Sequence, residues 1–378
     1  MAKKKDGINI NDLNKLASEF LITTTVDEDG NRITPRYKTD LLAFDDFLGG
    51  GLPIGKVISI GAEEGAGKST LAVQLVGNVV EKYNKKAVYI DAEGGLAIEL
   101  IESMGYADLI WHPKDNPNGS LYILDASTIQ QINRIVKAFT SYPDTAIIVI
   151  DSTKGVFDAD NLESDTLGAD NKAIGKSARM WSANVNELSY LVKQSEACMI
   201  MIHQARTDLS GFRPQVVSAT NKALRHLATA ELWGKVRQYI DKDNVLSSTK
   251  AASIGTLLEL SVSKNKLGVP FRKIEVPLYF GKGVSNKWAY RRWLEENTME
   301  DTATGELVPY LKMAGGGYFT LTLPSGVYKA RGYAASWDLF EEHLDEILGL
   351  IEVSGGIRAQ DLSEDELKEV DRALQNDN

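Results

Sequence analysis

Residues 62–69 read Ala-Glu-Glu-Gly-Ala-Gly-Lys-Ser, a glycine-spaced turn that closes on a lysine and a hydroxyl. An apolar run at 56–61 precedes it and a helical pattern opens at Ser69, so the turn joins a strand to a helix. Chemistry suited to that arrangement is capture of a phosphate chain. Gly65 and Gly67 let backbone N–H groups curl toward anionic oxygens, the helix N-terminus adds its positive end, and Lys68 reaches the β and γ phosphates. Ser69 is the expected Mg²⁺ ligand, and the nucleotide contacts are expected from Ala62, Glu63, Glu64, Gly65, Ala66, Gly67, Lys68, Ser69 and Thr70. Ala62 stands where such loops carry their first glycine; Gly61 lies just before it, and a small side chain is tolerated there.

Three polar residues end neighbouring apolar runs. Residues 146–150 lead into Asp151, placed at the strand end where α/β folds bind ligands and able to hold Mg²⁺ through water. A second run ends Asp91-Ala92-Glu93; Glu93 either orients the water that attacks a γ-phosphate or is an ordinary acid at a helix N-terminus. Gln204 closes the run 197–204 directly before a long polar stretch, so an amide that senses the γ-phosphate there could order the loop; bonding to backbone is the plainer reading. Lys264 and Lys266, two apart on an apparent strand, put both ammonium groups on one face, as a functional pair or as solvated surface charge.

Elements able to position these groups follow from periodicity. Strands are expected at 56–61, 87–93, 121–126, 145–152 and 197–204, with helices at 69–81, 97–104, 129–139 and 171–194. Near-continuous Val, Ile and Met runs separated by helices describe a mainly parallel sheet covered on both faces, an α/β core. Strands at 257–266 and 273–280 flank Gly268 and Pro270 and read as an edge hairpin. The expected organisation is an N-terminal helix (8–20) and linker over 1–36, the core over 37–283, a small α+β domain over 284–360 that includes a helix at 336–351, and an acidic tail over 361–378.

The net charge of −10 alone argues against a polyanion partner, but its distribution does not. From Trp337 onward thirteen acidic residues face three basic ones, which accounts for the whole excess, so the preceding body is neutral and free to carry basic surfaces. Cys198 is the single cysteine, no apolar run approaches the ~18 residues of a membrane span, and the polar N-terminus carries no secretory pattern; a cytoplasmic location without membrane contact is expected.

In order and spacing, Lys38 to Lys56, the loop 62–69, Asp91-Ala-Glu93, Ile150-Asp151-Ser152, Arg179-Met180, His203-Gln204-Ala-Arg206 and Lys264-Asn-Lys266-Leu-Gly-Val-Pro270-Phe271 together resemble the RecA family of homologous-recombination ATPases, over about residues 34–283. The short acidic chain and divergent ends look more like a phage recombinase of the UvsX type, or a phage-borne family member, than like a typical bacterial one. The resemblance implies an ATP- and Mg²⁺-dependent, DNA-dependent ATPase that assembles head to tail into helical filaments on single-stranded DNA and pairs it with homologous duplex. Single-strand-binding and loader proteins are implied partners. It makes Glu93 the hydrolytic base, Gln204 the γ-phosphate sensor, and Lys264 and Lys266 the groups that reach the γ-phosphate of a neighbouring subunit. It also assigns DNA contact to two loops, 158–170 and 205–221. Around the second, six basic residues from Arg206 to Arg237 face two acidic ones; Arg206, Arg213, Lys222 and Arg225 are the expected phosphate contacts, and Phe212 would stack or wedge between bases. The first loop is acidic, with Lys172, Lys176 and Arg179 following on one helix. Two departures stand out: Leu100 falls nearest the position of an adenine-stacking aromatic, and Glu259 and Ser261 replace expected basic residues, moving a second DNA site toward Lys287, Arg291, Arg292, Lys312, Lys329 or Arg331. A ring helicase, a nucleotide-switched regulator and a passive filament mediator are the rival readings.

Overall fold

The computed structural model describes residues 24–26, 30, 32–153, 156, 171–208, 215–218, 222–242, 244–301, 304–354, 356, 357, 359–361 and 363. The expected helix at 8–20, the loop at 158–170, Phe212, Arg213 and all but two residues of the 361–378 tail lie outside them. The chain divides after Arg36. In the first unit, Thr25–Val26 pairs antiparallel with Arg32–Ile33.

The second unit opens with α1 (Leu42–Leu48) and then alternates strand and helix: β1 (Val57–Ala62), α2 (Lys68–Tyr83), β2 (Lys86–Asp91), α3 (Ile98–Ser103), β3 (Leu121–Asp125), α4 (Ile129–Thr140), β4 (Thr145–Asp151), α5 (Asn171–Lys193), β5 (Cys198–Asp208), α6 (Lys222–Leu227), β6 (Ala230–Ile240), β7 (Gly255–Asn265) and β8 (Arg272–Tyr279). In space the strands run β8-β7-β6-β1-β5-β4-β2-β3. All neighbours from β6 through β3 are parallel, while β6–β7 and β7–β8 are antiparallel. The α/β class expected from the sequence is the class found.

Strand periodicity divides the core into two. On one face Ile58, Ile60, Tyr89, Ile147, Val149, Ile200 and Ile202 pack with Leu71, Leu75, Val76 and Val79 of α2. On the other, Val88, Ile90, Ile148, Ile150, Met199 and Met201 meet Ile132 and Val136 of α4 and Val185, Leu188 and Val192 of α5. Residues two apart share a face, so the unbroken apolar run 146–150 of β4 feeds both layers. Helix α4 begins at a capping box in which Thr128 Oγ1 accepts from Gln131 N–H and Gln131 Oε1 accepts from Thr128 N–H, both at 3.2 Å.

Strand β6, beside β1 at the centre of the sheet, was hidden in the sequence. Glu231, Lys235 and Arg237 interrupt its apolar pattern, and the sequence marks the stretch only as part of the basic span 206–237 around the second loop. In the fold two of those charges are answered: Arg237 donates to both oxygens of buried Glu259 on β7 at 2.8 and 2.6 Å, and Arg225 lies 3.4 Å from buried Glu231. Glu259, unexpected as an acid, is thus the counter-charge that lets an arginine occupy a central strand.

Beyond β8 come α7 (Lys287–Glu296), a meander of β9 (Leu311–Ala314), β10 (Tyr318–Leu323) and β11 (Gly326–Arg331), then α8 (Tyr333–Glu342) and α9 (Leu344–Val353). The single helix expected at 336–351 is broken at His343, whose φ of −113° and ψ of 19° depart from helical values. Phe319, Leu321, Trp337 and Ile351 belong to the same buried cluster as Ile60 and Leu71. Among the described residues no helix is long and apolar enough to cross a membrane.

Removing one partner of the Arg237–Glu259 pair strands the other charge. Glu259→Ala should lower the free energy of urea unfolding by about 2–3 kcal/mol, whereas joint replacement Arg237→Met with Glu259→Leu should return to within about 1 kcal/mol of the parent.

Candidate active site

Parallel register brings the chemistry-bearing strand ends to one edge. Ala62 of β1 is level with Gln204 of β5, and Asp91 of β2 is level with Asp151 of β4. The loop after β1 turns over these ends into α2. Gly67 holds φ at +87°, a conformation that favours glycine, and a Cβ there would press on the end of the Leu278 side chain, 2.5 Å from Cδ1. Ala62 is buried and ends the strand without disturbing the turn that follows.

Lys68 folds back over the loop, its ammonium donating to the carbonyl oxygens of Ala62 at 3.0 Å and Glu63 at 2.7 Å. Burial pushes its pKa down, against the opposing pull of Asp151 and Glu93. Backbone carbonyls are weak partners for an ammonium that could instead meet a phosphate. Ser69 Oγ donates to Asp151 Oδ2 at 2.6 Å, so the two groups expected to hold Mg²⁺ converge. Burial raises the Asp151 pKa, opposed by hydroxyl donors. A hydroxyl and a carboxylate side by side are hard oxygen donors, fitting a divalent cation whose remaining positions are filled by phosphate and water.

The same Asp151 oxygen accepts a second hydroxyl, from Tyr89 at 2.5 Å. In the sequence Tyr89 signals only core, being an aromatic inside an apolar strand; its i, i+2 spacing to Asp91 places it on the same strand face as that carboxylate and is the one local clue to a role at the site. Asp91, by contrast, is structural. Its carboxylate accepts from the N–H groups of Glu93, Gly94 and Leu96 at 3.2, 2.9 and 2.8 Å, fixing the turn that carries Glu93.

Glu93 is exposed and bonded from two sides. Gln204 Nε2 donates to both of its oxygens at 2.9 Å, and Ser152 Oγ donates to one of them. Base candidate and sensor candidate are therefore in direct contact, a pairing the sequence did not reveal.

Lys264 and Lys266 project together, as two-residue spacing on β7 requires, toward the end of α6. Lys264 donates to the carbonyls of Arg225 at 2.5 Å and His226 at 3.0 Å, and Lys266 to His226 at 3.3 Å. Burial first, then its neighbour's charge, lowers the pKa of Lys264. Glu231 lies directly across from Lys264 on the paired strand, and Arg225 lies 3.4 Å from its carboxylate. Arg206 and Lys222 lie on β5 and at the start of α6, and Lys172, Lys176 and Arg179 on α5, but their side chains fall outside the described residues. Leu100 is partly buried on α3. Lys287, Arg291 and Arg292 pair with Glu341, Glu295 and Glu296, while Lys312, Lys329 and Arg331 are exposed on the β9–β11 meander.

His203 is a packing residue. Its Nδ1 lies 3.3 Å from Ser59 Oγ, its Nε2 has no hydrogen-bond partner among the described residues, and its ring fills the space beside Gly61, where a Cβ would come within 2.2 Å. Burial pushes its pKa down to about 3. The unfolded chain, titrating near 6.5, takes up the proton first, so stability is intact above that value and falls as pH drops toward 3. Unfolding free energy should decline by up to about 1.4 kcal/mol per pH unit from this group across that window. His203→Gln should flatten that part of a urea-midpoint profile against pH.

A sequence model described as the RecA N-terminal domain matches residues 15–285. Protein RecA of Mycoplasma pneumoniae is 28% identical over 250 residues, covering 65% of this chain and 68% of the relative. Protein RecA of Chlamydia caviae is 30% identical over 251 residues, covering 66% of each. The chain thus spans about two thirds of the length of these relatives. A crystal structure of the RadB recombinase aligns over 66% of this chain and 98% of its own, with a TM-score of 0.45 and 18% identity. With most of its length matched by that family's sequence model, and with the family's motifs gathered at one edge of an α/β sheet, the chain belongs to the RecA family of homologous-recombination ATPases.

Proposed function

We propose that the protein is a DNA-dependent ATPase that forms head-to-tail helical filaments on single-stranded DNA and catalyses homologous pairing and strand exchange. The observation that carries this reading is the convergence of Lys68, Ser69, Asp151, Glu93 and Gln204 at the edge where β1, β2 and β4 end and β5 passes between them. ATP would lie along the loop 62–70 with Lys68 exchanging its two carbonyl partners for phosphate oxygens. Mg²⁺, held by Ser69 and Asp151, supplies charge neutralisation at the phosphates. Glu93 accepts a proton from the attacking water, and Ser152 keeps the carboxylate aimed.

Gln204 gives the site its output. The strand does not stop at Gln204 as expected: β5 runs on to Asp208, and 205–208 pairs antiparallel with 215–218. While the Gln204 amide is bonded to Glu93 it is engaged with the base; bonding to a γ-phosphate instead would draw this part of β5 toward the nucleotide and shift the hairpin that continues it. Lys264 and Lys266 supply a second link. Both hold the C-terminal carbonyls of α6, the helix that follows this hairpin, so transferring them to the phosphate of a neighbouring copy would couple assembly to the hairpin's position. Arg206, Arg213, Lys222, Arg225 and Phe212 would then meet the DNA strand, with Lys172, Lys176 and Arg179 alongside.

Phosphate release measured with and without single-stranded DNA tests the roles. Lys68→Ala should abolish turnover. Glu93→Ala should reduce kcat by about 10²–10⁴-fold while nucleotide affinity stays within about threefold. Wild-type turnover in Glu93→Ala would remove it as the base.

A further inference from the structure

We propose that Tyr89 is a positioning residue for the Mg²⁺ site, its buried hydroxyl holding Asp151 in the orientation that presents the carboxylate beside Ser69. The inference rests on the nucleotide-site reading above and deepens it.

A phenylalanine would fill the core at this position equally well, since the ring is almost fully enclosed among apolar neighbours. What needs an account is the hydroxyl, because a buried phenol must find an acceptor. On the paired strands Tyr89 is level with Val149, so Asp151 is its diagonal neighbour two residues on, within reach of a long aromatic side chain. The bond it makes there, at 2.5 Å, falls on Oδ2, the oxygen that Ser69 also contacts at 2.6 Å. Two hydroxyls from different elements therefore fix one carboxylate oxygen. Their mobility differs. Ser69 is on the loop-proximal turn of α2 and is itself an expected ligand, whereas Tyr89 is locked in the middle of a buried strand. Any movement of Ser69 toward a ligand leaves Tyr89 as the donor that stops Asp151 from rotating away.

The test is the Mg²⁺ dependence of binding a fluorescent ATP analogue, read by its emission with no turnover required. Tyr89→Phe, which keeps the ring, should leave analogue binding in EDTA unchanged and raise the Mg²⁺ midpoint by about tenfold. In an Asp151→Ala background the same substitution should produce no further shift, because the hydroxyl acts only through that carboxylate. Thermal unfolding of each variant reports that the chain is folded, and Tyr89→Leu, lacking the hydroxyl by another route, should reproduce the shift. An unmoved midpoint in Tyr89→Phe, or equal shifts in both backgrounds, would overturn the inference while leaving the nucleotide site standing. A wild-type chain whose analogue binding ignores Mg²⁺ would overturn the site reading itself, and this inference with it.

Discussion

Parallel register is the constraint on which everything else depends. Strands β1, β5, β4 and β2 run the same way, so their C-terminal ends lie at one edge, and the fold delivers Ala62, Gln204, Asp151 and Asp91 there from four distant stretches of sequence. Each strand is buried on both faces, which fixes the register strongly: a slip of one residue would exchange the two core layers and turn the strand-end side chains to the wrong side. The price of such a sheet is crossover helices, and α2 is used twice, as a connection and as the element whose first turn carries Lys68 and Ser69.

Electrostatics at that edge follow a second rule, that buried charge is tolerated only with partners. Asp151 is buried against two hydroxyls and Lys68 sits over two carbonyls, while Glu93, though exposed, is also bonded, by Gln204 and Ser152. Every one of these contacts uses a group that a phosphate or cation could replace, apart from Tyr89, Ser152 and the Asp91 turn, which hold the frame. The site is a set of exchangeable bonds on a fixed support.

Much of this was legible in the sequence because its signals are local. Continuous apolar runs gave five parallel strands to within a few residues, and the glycine-spaced loop gave the position of the lysine and hydroxyl. The features that were not legible depend on contacts across long separations. Strand β6 carries three charges, and the partners of two of them, Glu259 for Arg237 and Arg225 for Glu231, appear only when strand and neighbour are packed. Tyr89 reads as core, and its hydroxyl gains meaning only beside Asp151, 62 residues away. The contact between Gln204 and Glu93 spans 111 residues. His343 breaks a pattern whose apolar spacing alone describes one helix.

The central claim is that nucleotide binding at this edge drives head-to-tail assembly on DNA. Negative-stain electron microscopy of the chain on long single-stranded DNA, with a slowly hydrolysed ATP analogue and without nucleotide, addresses it most directly. Regular helical filaments that form only with the analogue, and are lost in the joint variant Lys264→Ala and Lys266→Ala, are the predicted result. Closed rings, or DNA left bare in the presence of the analogue, would contradict it.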